Sequence, residues 1–91
     1  MNTICVYYDL DKPDQDNKLI SYLESFNGFA KAGARMWFVN SNKSCAQIRD
    51  QIIHLNIPTE HRILVFKVGD TWSSINLKPE TSTWLDQNLK P

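Results

Sequence analysis

The sequence is poor in the residues and patterns that mark specialised classes of protein. Its 91 residues include only two cysteines, three glycines and four prolines, which excludes a disulfide scaffold, a collagen-like chain and a low-complexity chain. No apolar run approaches the roughly 20 residues of a membrane-spanning helix. No basic segment precedes the first apolar run at Ile4, so no export signal is evident. We therefore expect a cytoplasmic domain outside the membrane, with Cys5 and Cys45 as buried, reduced thiols.

An excess of charge of either sign is also missing. Ten lysines and arginines balance ten aspartates and glutamates, whereas nucleic-acid-binding domains usually carry a basic excess. Nucleic acid is therefore a less favoured partner. The distribution is uneven, because residues 1–16 hold four aspartates and one lysine, a net charge of −3, which leaves +3 on the remainder. This pattern allows an acidic site on a mildly basic body.

The length indicates a single domain. A chain of this size hides roughly 60 to 65% of its extended surface on folding, which supports one modest core but not two. No linker, internal repeat or biased segment divides the sequence. We therefore expect one domain over residues 1–91, with its core over about residues 1–69 and a C-terminal extension over about residues 70–91.

Strand and helix signals follow one another along the chain. Runs of β-branched and aromatic residues predict four strands, over residues 3–8, 29–32, 35–39 and 63–66. The spacing of apolar residues predicts a helix over about residues 15–27. Ser44 and Gln47 form a capping-box pair that predicts the start of a second helix. Pro79 predicts the start of a last short helix.

This order of elements predicts the fold class. Two strand–helix–strand units give an α+β, ferredoxin-like βαββαβ sandwich, with a four-stranded antiparallel sheet, central first and third strands and two helices on one face. The inner strands are apolar at both alternate sets of positions, so the second face needs a cover as well. An identical subunit, packed sheet to sheet, is one expected cover. The tail is the other, through Trp72, Leu77, Trp84 and Leu85.

A carboxylate at the end of the first strand is the first candidate site. In a twofold dimer, two Asp9 side chains would hold a hard cation such as Mg²⁺, whose bound water hydrolyses phosphodiesters. Asp9 is then both the metal ligand and the catalytic residue of an endonuclease for RNA or DNA. Aspartate is also a common loop and capping residue, a role that needs no catalysis. The sequence leaves both interpretations open.

The second face of the sheet is the other candidate site. Tyr7 and Trp37 are predicted to project from it, where RNA-recognition domains of the same topology place stacking aromatic rings. Arg35 and Lys67 are expected to share this face and to give it positive character in a dimer. Packing under the tail or in a dimer explains the two rings equally well, and the charge balance weakens the case for RNA.

Four short segments together carry a family resemblance. They are Tyr8–Asp9–Leu10 followed by Lys12–Pro13, the strand end Trp37–Phe38–Val39, the helical Ile48–Arg49–Asp50, and the closing segment 83–89. These segments resemble small bacterial proteins labelled SinR-like, and those proteins resemble the CRISPR-associated protein 2 family. The resemblance to the first group covers nearly the whole chain.

The second family implies a symmetric, ferredoxin-like homodimer. In its nuclease members it also implies a metal-binding aspartate after the first strand, a role that falls on Asp9 alone. The sequence departs from that family after the fourth strand, where residues 69–89 suggest a tail helix in place of an exchanged strand. We therefore expect a small dimeric regulatory or interaction module of this fold that acts by binding. The alternative is the Mg²⁺-dependent endonuclease with a paired Asp9.

Overall fold

A computed structural model of the chain describes residues 1–10, 16–56, 61–69 and 73–89. The regular elements, in chain order, are β1 (Asn2–Leu10), α1 (Asp16–Glu24), β2 (Phe29–Gly33), β3 (Met36–Ser41), α2 (Cys45–Ile53), β4 (His61–Lys67) and α3 (Pro79–Asn88). Every predicted strand and helix is present, with bounds that differ by a few residues. The largest differences are the shorter α1 and the longer β1 and β4.

The four strands form one antiparallel sheet in the order β2-β3-β1-β4. The first and third strands are therefore central, as predicted. Val6 of β1 lies opposite Trp37 of β3 on one side and Val65 of β4 on the other. Together with the chain order, this arrangement confirms the ferredoxin-like α+β fold.

The main core lies between one face of the sheet and the helices α1 and α2. Each central strand contributes alternate side chains to it, because successive residues of a strand point to opposite faces. The helices contribute residues spaced four apart, which share one helical face. The buried members are Ile4, Val6, Tyr8, Leu19, Leu23, Trp37, Val39, Ile48 and Ile52.

The start of α2 is fixed by its capping box. The Ser44 hydroxyl accepts a hydrogen bond from the Gln47 backbone N–H at 3.1 Å, and the Gln47 side-chain oxygen accepts one from the Ser44 N–H at 2.8 Å. These two bonds satisfy backbone donors that the first helical turn leaves without a partner. The cap sets the helix so that Ile48 and Ile52 face the sheet.

The helix α3 covers one half of the second face of the sheet. Trp84 stacks on Phe38 of β3 with ring centroids 6.3 Å apart, and Leu85 and Leu89 are buried. The prediction of a cover from the tail is therefore confirmed for Trp84 and Leu85. The part predicted for Trp72 lies outside the described residues.

Polar contacts at both ends hold α3 in this position. Near its start, the Thr81 hydroxyl donates to the Lys31 carbonyl of β2 at 3.0 Å. Near its end, the Asn40 amide of β3 donates to the Asn88 side-chain oxygen at 2.6 Å. Leu77, which precedes the helix, is half-buried. The tail thus lies over β2 and β3. On the same face of β1, Thr3 and Cys5 are buried, whereas Tyr7 and the neighbouring residues of β4 are exposed.

Candidate functional site

The half of the second face formed by β1 and β4 exposes a row of large apolar side chains. Tyr7 is 41% exposed, Leu64 56% and Phe66 41%. Tyr7 lies directly opposite Leu64 in the β1–β4 register, and Phe66 is the next position of β4 on the same side. We call these three residues the open half-sheet. Contiguous exposed apolar residues of this kind are typical of association surfaces.

A charged cluster bounds the open half-sheet where β1 ends. Asp9 lies on the same side of β1 as Tyr7 and pairs with Arg62 in the register. Arg35 Nη1 donates to Asp9 Oδ1 at 2.8 Å, and Arg62 Nε donates to Asp9 Oδ2 at 3.1 Å. All three side chains are at least one-third exposed. Because solvent screens such pairs, the cluster orients its side chains more than it stabilises the fold.

Arg35 and Arg62 both pair with the Asp9 carboxylate, which was predicted to hold a metal ion. Each oxygen of Asp9 accepts a hydrogen bond from a guanidinium group, so a metal cation at Asp9 would be repelled by two neighbouring positive charges. Within the described ranges, no three side chains of His, Cys, Asp or Glu come close enough together to hold a metal ion. The prediction of Mg²⁺ at Asp9 therefore depends on the sequence argument alone.

Two residues predicted for the open face lie on the other side of the sheet. Trp37 is opposite a core residue of β1 and only 4% exposed. Lys67 is exposed, but it lies opposite Ile4 and so shares the helix-covered side. The prediction is wrong for both residues, because the strand register places their side chains on the helix-covered face of the sheet. It is confirmed for Tyr7, and Arg35 reaches that side through its ion pair with Asp9.

Sequence reasoning missed the contribution of β4 to this site. Arg62, Leu64 and Phe66 alternate along the strand and reach the same face. Alternation of polar and apolar residues is the signal that identifies an exposed strand face. Here the intervening Ile63 and Val65 are apolar as well, so the sequence does not show which side of β4 is exposed. The two ion pairs of Asp9 join residues 26 and 53 positions away, which local patterns do not show.

The fold and the site define the protein as a ferredoxin-like α+β domain with one half of a sheet face exposed. No protein-family model matches the chain, and no curated protein matches it. None of the helices in the described part of the chain is both long enough and apolar enough to span a bilayer.

Proposed function

We propose that this protein is a small, homodimeric interaction module of the cytoplasm that acts by binding, with the open half-sheet as the surface that contacts a protein partner. The observation that carries the proposal is the exposure of Tyr7, Leu64 and Phe66 side by side on two adjacent strands. Aromatic residues in such a position are enriched at the centres of protein interfaces, and they supply large contact areas at low entropic cost.

Other features support the same proposal. The arginine–aspartate cluster at the edge of the open half-sheet gives the surface a polar rim, which is the usual arrangement around an apolar interface centre. Cys5 and Cys45 are both free thiols, as is common in a reducing cytoplasm. The resemblance to SinR-like proteins and to the CRISPR-associated protein 2 family implies a symmetric homodimer of this fold.

The proposal is tested by the oligomeric state and by partner capture. Sedimentation equilibrium on the full chain is expected to give twice the monomer mass. Affinity capture with the tagged protein is expected to recover a defined protein, which Tyr7→Lys loses. Phe29→Lys is the matched control, because Phe29 is an aromatic residue of similar exposure, 39%, on the edge strand β2. A monomer at all concentrations, or capture that Tyr7→Lys leaves unchanged, would contradict the proposal.

The endonuclease alternative is tested separately. We expect the protein not to cleave RNA or DNA with Mg²⁺ or Mn²⁺, since the two guanidinium groups paired with Asp9 repel a metal cation there. Incubation of the purified protein with labelled RNA and DNA checks this, with Asp9→Asn as the comparison at equal dimer content. Metal-dependent cleavage that Asp9→Asn abolishes would replace the binding module with the nuclease.

A further inference from the structure

The free edge of the sheet at β4 has the properties of an association surface that adjoins the open half-sheet at Leu64. Among the described residues, β4 pairs only with β1, so the other edge of its seven residues faces outward. Natural proteins protect such an edge with proline, a β-bulge, inward-pointing charge or a covering segment. The strand has no proline, its register with β1 is regular, and residues 63–66 at its centre are all apolar, whereas its charged residues Arg62 and Lys67 lie toward its two ends. It is therefore a template for another strand.

The helix α2 lies beside this edge and exposes further side chains next to it. A groove of about 240 Å³ runs between α2 and β4, lined by Cys45, Ala46, Arg49, Ile63, Leu64 and Val65. The helix residues 46, 49 and 53 share one stripe, since positions three, four and seven apart lie on the same side of a helix. Ile53 on that stripe is 57% exposed. The side of the molecule next to β4 thus exposes apolar residues of the sheet and, at Ala46 and Ile53, of the helix, while Arg49 between them pairs with Asp50 at 3.1 Å.

We propose that the β4 edge, together with this stripe of α2, joins two copies of the chain about a twofold axis. The sequence of β4 is suited to antiparallel pairing with itself. With Leu64 at the axis, Ile63 lies opposite Val65 of the partner subunit, and Arg62 lies opposite Phe66 of the partner subunit. Apolar residues meet apolar residues, and Arg62 meets an aromatic ring, which is a favourable contact for a guanidinium group.

The helix contribution explains how such a contact reaches the size of a stable interface. The edge of a seven-residue strand is about 24 Å long but narrow, whereas stable interfaces bury about 800 Å² on each partner. Both copies of α2 lie on the same side of the joined sheet, so their stripes meet across the axis and widen the contact. Ile53 then packs between the two helices.

The proposal rests on the homodimer of the proposed function and states where its seam lies. Joining two β4 edges turns two four-stranded sheets into one sheet of eight strands. The two open half-sheets then lie side by side on the same face, on either side of the axis. The dimer contact then uses Leu64 and Phe66 of each open half-sheet and leaves both copies of Tyr7 exposed, in contrast to a dimer packed sheet to sheet.

The seam is tested by measuring the dimer dissociation constant of the full chain by sedimentation. Ile53→Lys and Leu64→Lys are each expected to raise this constant at least about tenfold, the change that about 1.4 kcal/mol produces. Phe29→Lys, on the opposite edge of the sheet, is the matched control and is expected to leave it unchanged. Tyr7→Lys separates the two geometries, because Tyr7 lies at the contact only if the dimer packs face to face.

Amide hydrogen exchange of the wild-type protein provides an independent readout that does not depend on the folding of any variant. Amides of β4 are expected to exchange more slowly as the protein concentration rises. A dimer that persists in Ile53→Lys, is lost in Tyr7→Lys, or leaves exchange in β4 independent of concentration would overturn the β4 seam. A wild-type chain that is monomeric throughout would instead overturn the dimer of the proposed function.

Discussion

At the scale of single residues, the buried thiol of Cys5 links the packing of the second face to pH. Cys5 is fully buried, and burial raises the pKa of its thiol from 9.0 to about 11, because the thiolate is disfavoured away from water. The folded state therefore holds this proton more tightly than the unfolded state does. The resulting stability is fully present below about pH 9 and is lost as the pH rises to about 11.

We expect the free energy of unfolding to fall by about 2 kcal/mol between pH 9 and pH 11 through Cys5. Urea titrations at several pH values measure this change. Burial also raises the pKa of the Tyr22 phenol, which adds to the fall in the same direction. The variant Cys5→Ala is the comparison, and its loss of stability over this range is expected to be smaller. Equal losses in the two proteins would show that Cys5 does not titrate as described.

The residue scale also shows what the sequence could predict about the site. Tyr7 was placed on the correct side of the sheet, whereas Trp37 was not. The run from Met36 to Val39 is apolar at every position, so no polar alternation indicates which residues face the helices. A shift of one residue in register moves every side chain of a strand to the other face. The pairing of Val6 with Trp37 joins residues far apart in the sequence, and the local pattern does not predict it.

At the scale of elements, the helix starts that residues close together in the sequence indicate were predicted correctly. The capping box of Ser44 and Gln47 gave the start of α2, and Pro79 gave the start of α3, as the structure confirms. The end of α1 was less well predicted, because the helix stops at Glu24 and not near residue 27. There the Ser25 hydroxyl donates to the Tyr22 carbonyl, and such local side-chain bonds compete with the continuation of a helix.

At the scale of the whole molecule, the second face is divided between a covered half and an open half. The composition of the inner strands predicted that both faces needed covering, and α3 meets that need over β2 and β3. How far the cover extends depends on where α3 docks. That docking is set by contacts such as Trp84 with Phe38 and Thr81 with Lys31, which join residues far apart in the sequence. The boundary of the open half-sheet is therefore a property of the tertiary fold.

This division predicts different consequences for two aromatic residues of the same face. Trp84→Ala removes the ring that stacks on Phe38, so we expect a loss of about 2 kcal/mol in the free energy of unfolding. We also expect stronger binding of an apolar fluorescent dye, since the β2–β3 half of the sheet becomes accessible.

Tyr7→Ala is the matched control, because Tyr7 already lies 41% exposed on the open half. Its substitution is expected to cost less stability than that of Trp84 and to reduce dye binding, since it removes exposed apolar surface. Urea unfolding and dye titration on both variants and the wild type measure these changes. If Trp84→Ala left both stability and dye binding at the wild-type level, α3 would not act as the cover of the sheet. The exposed apolar surface would then extend over all four strands.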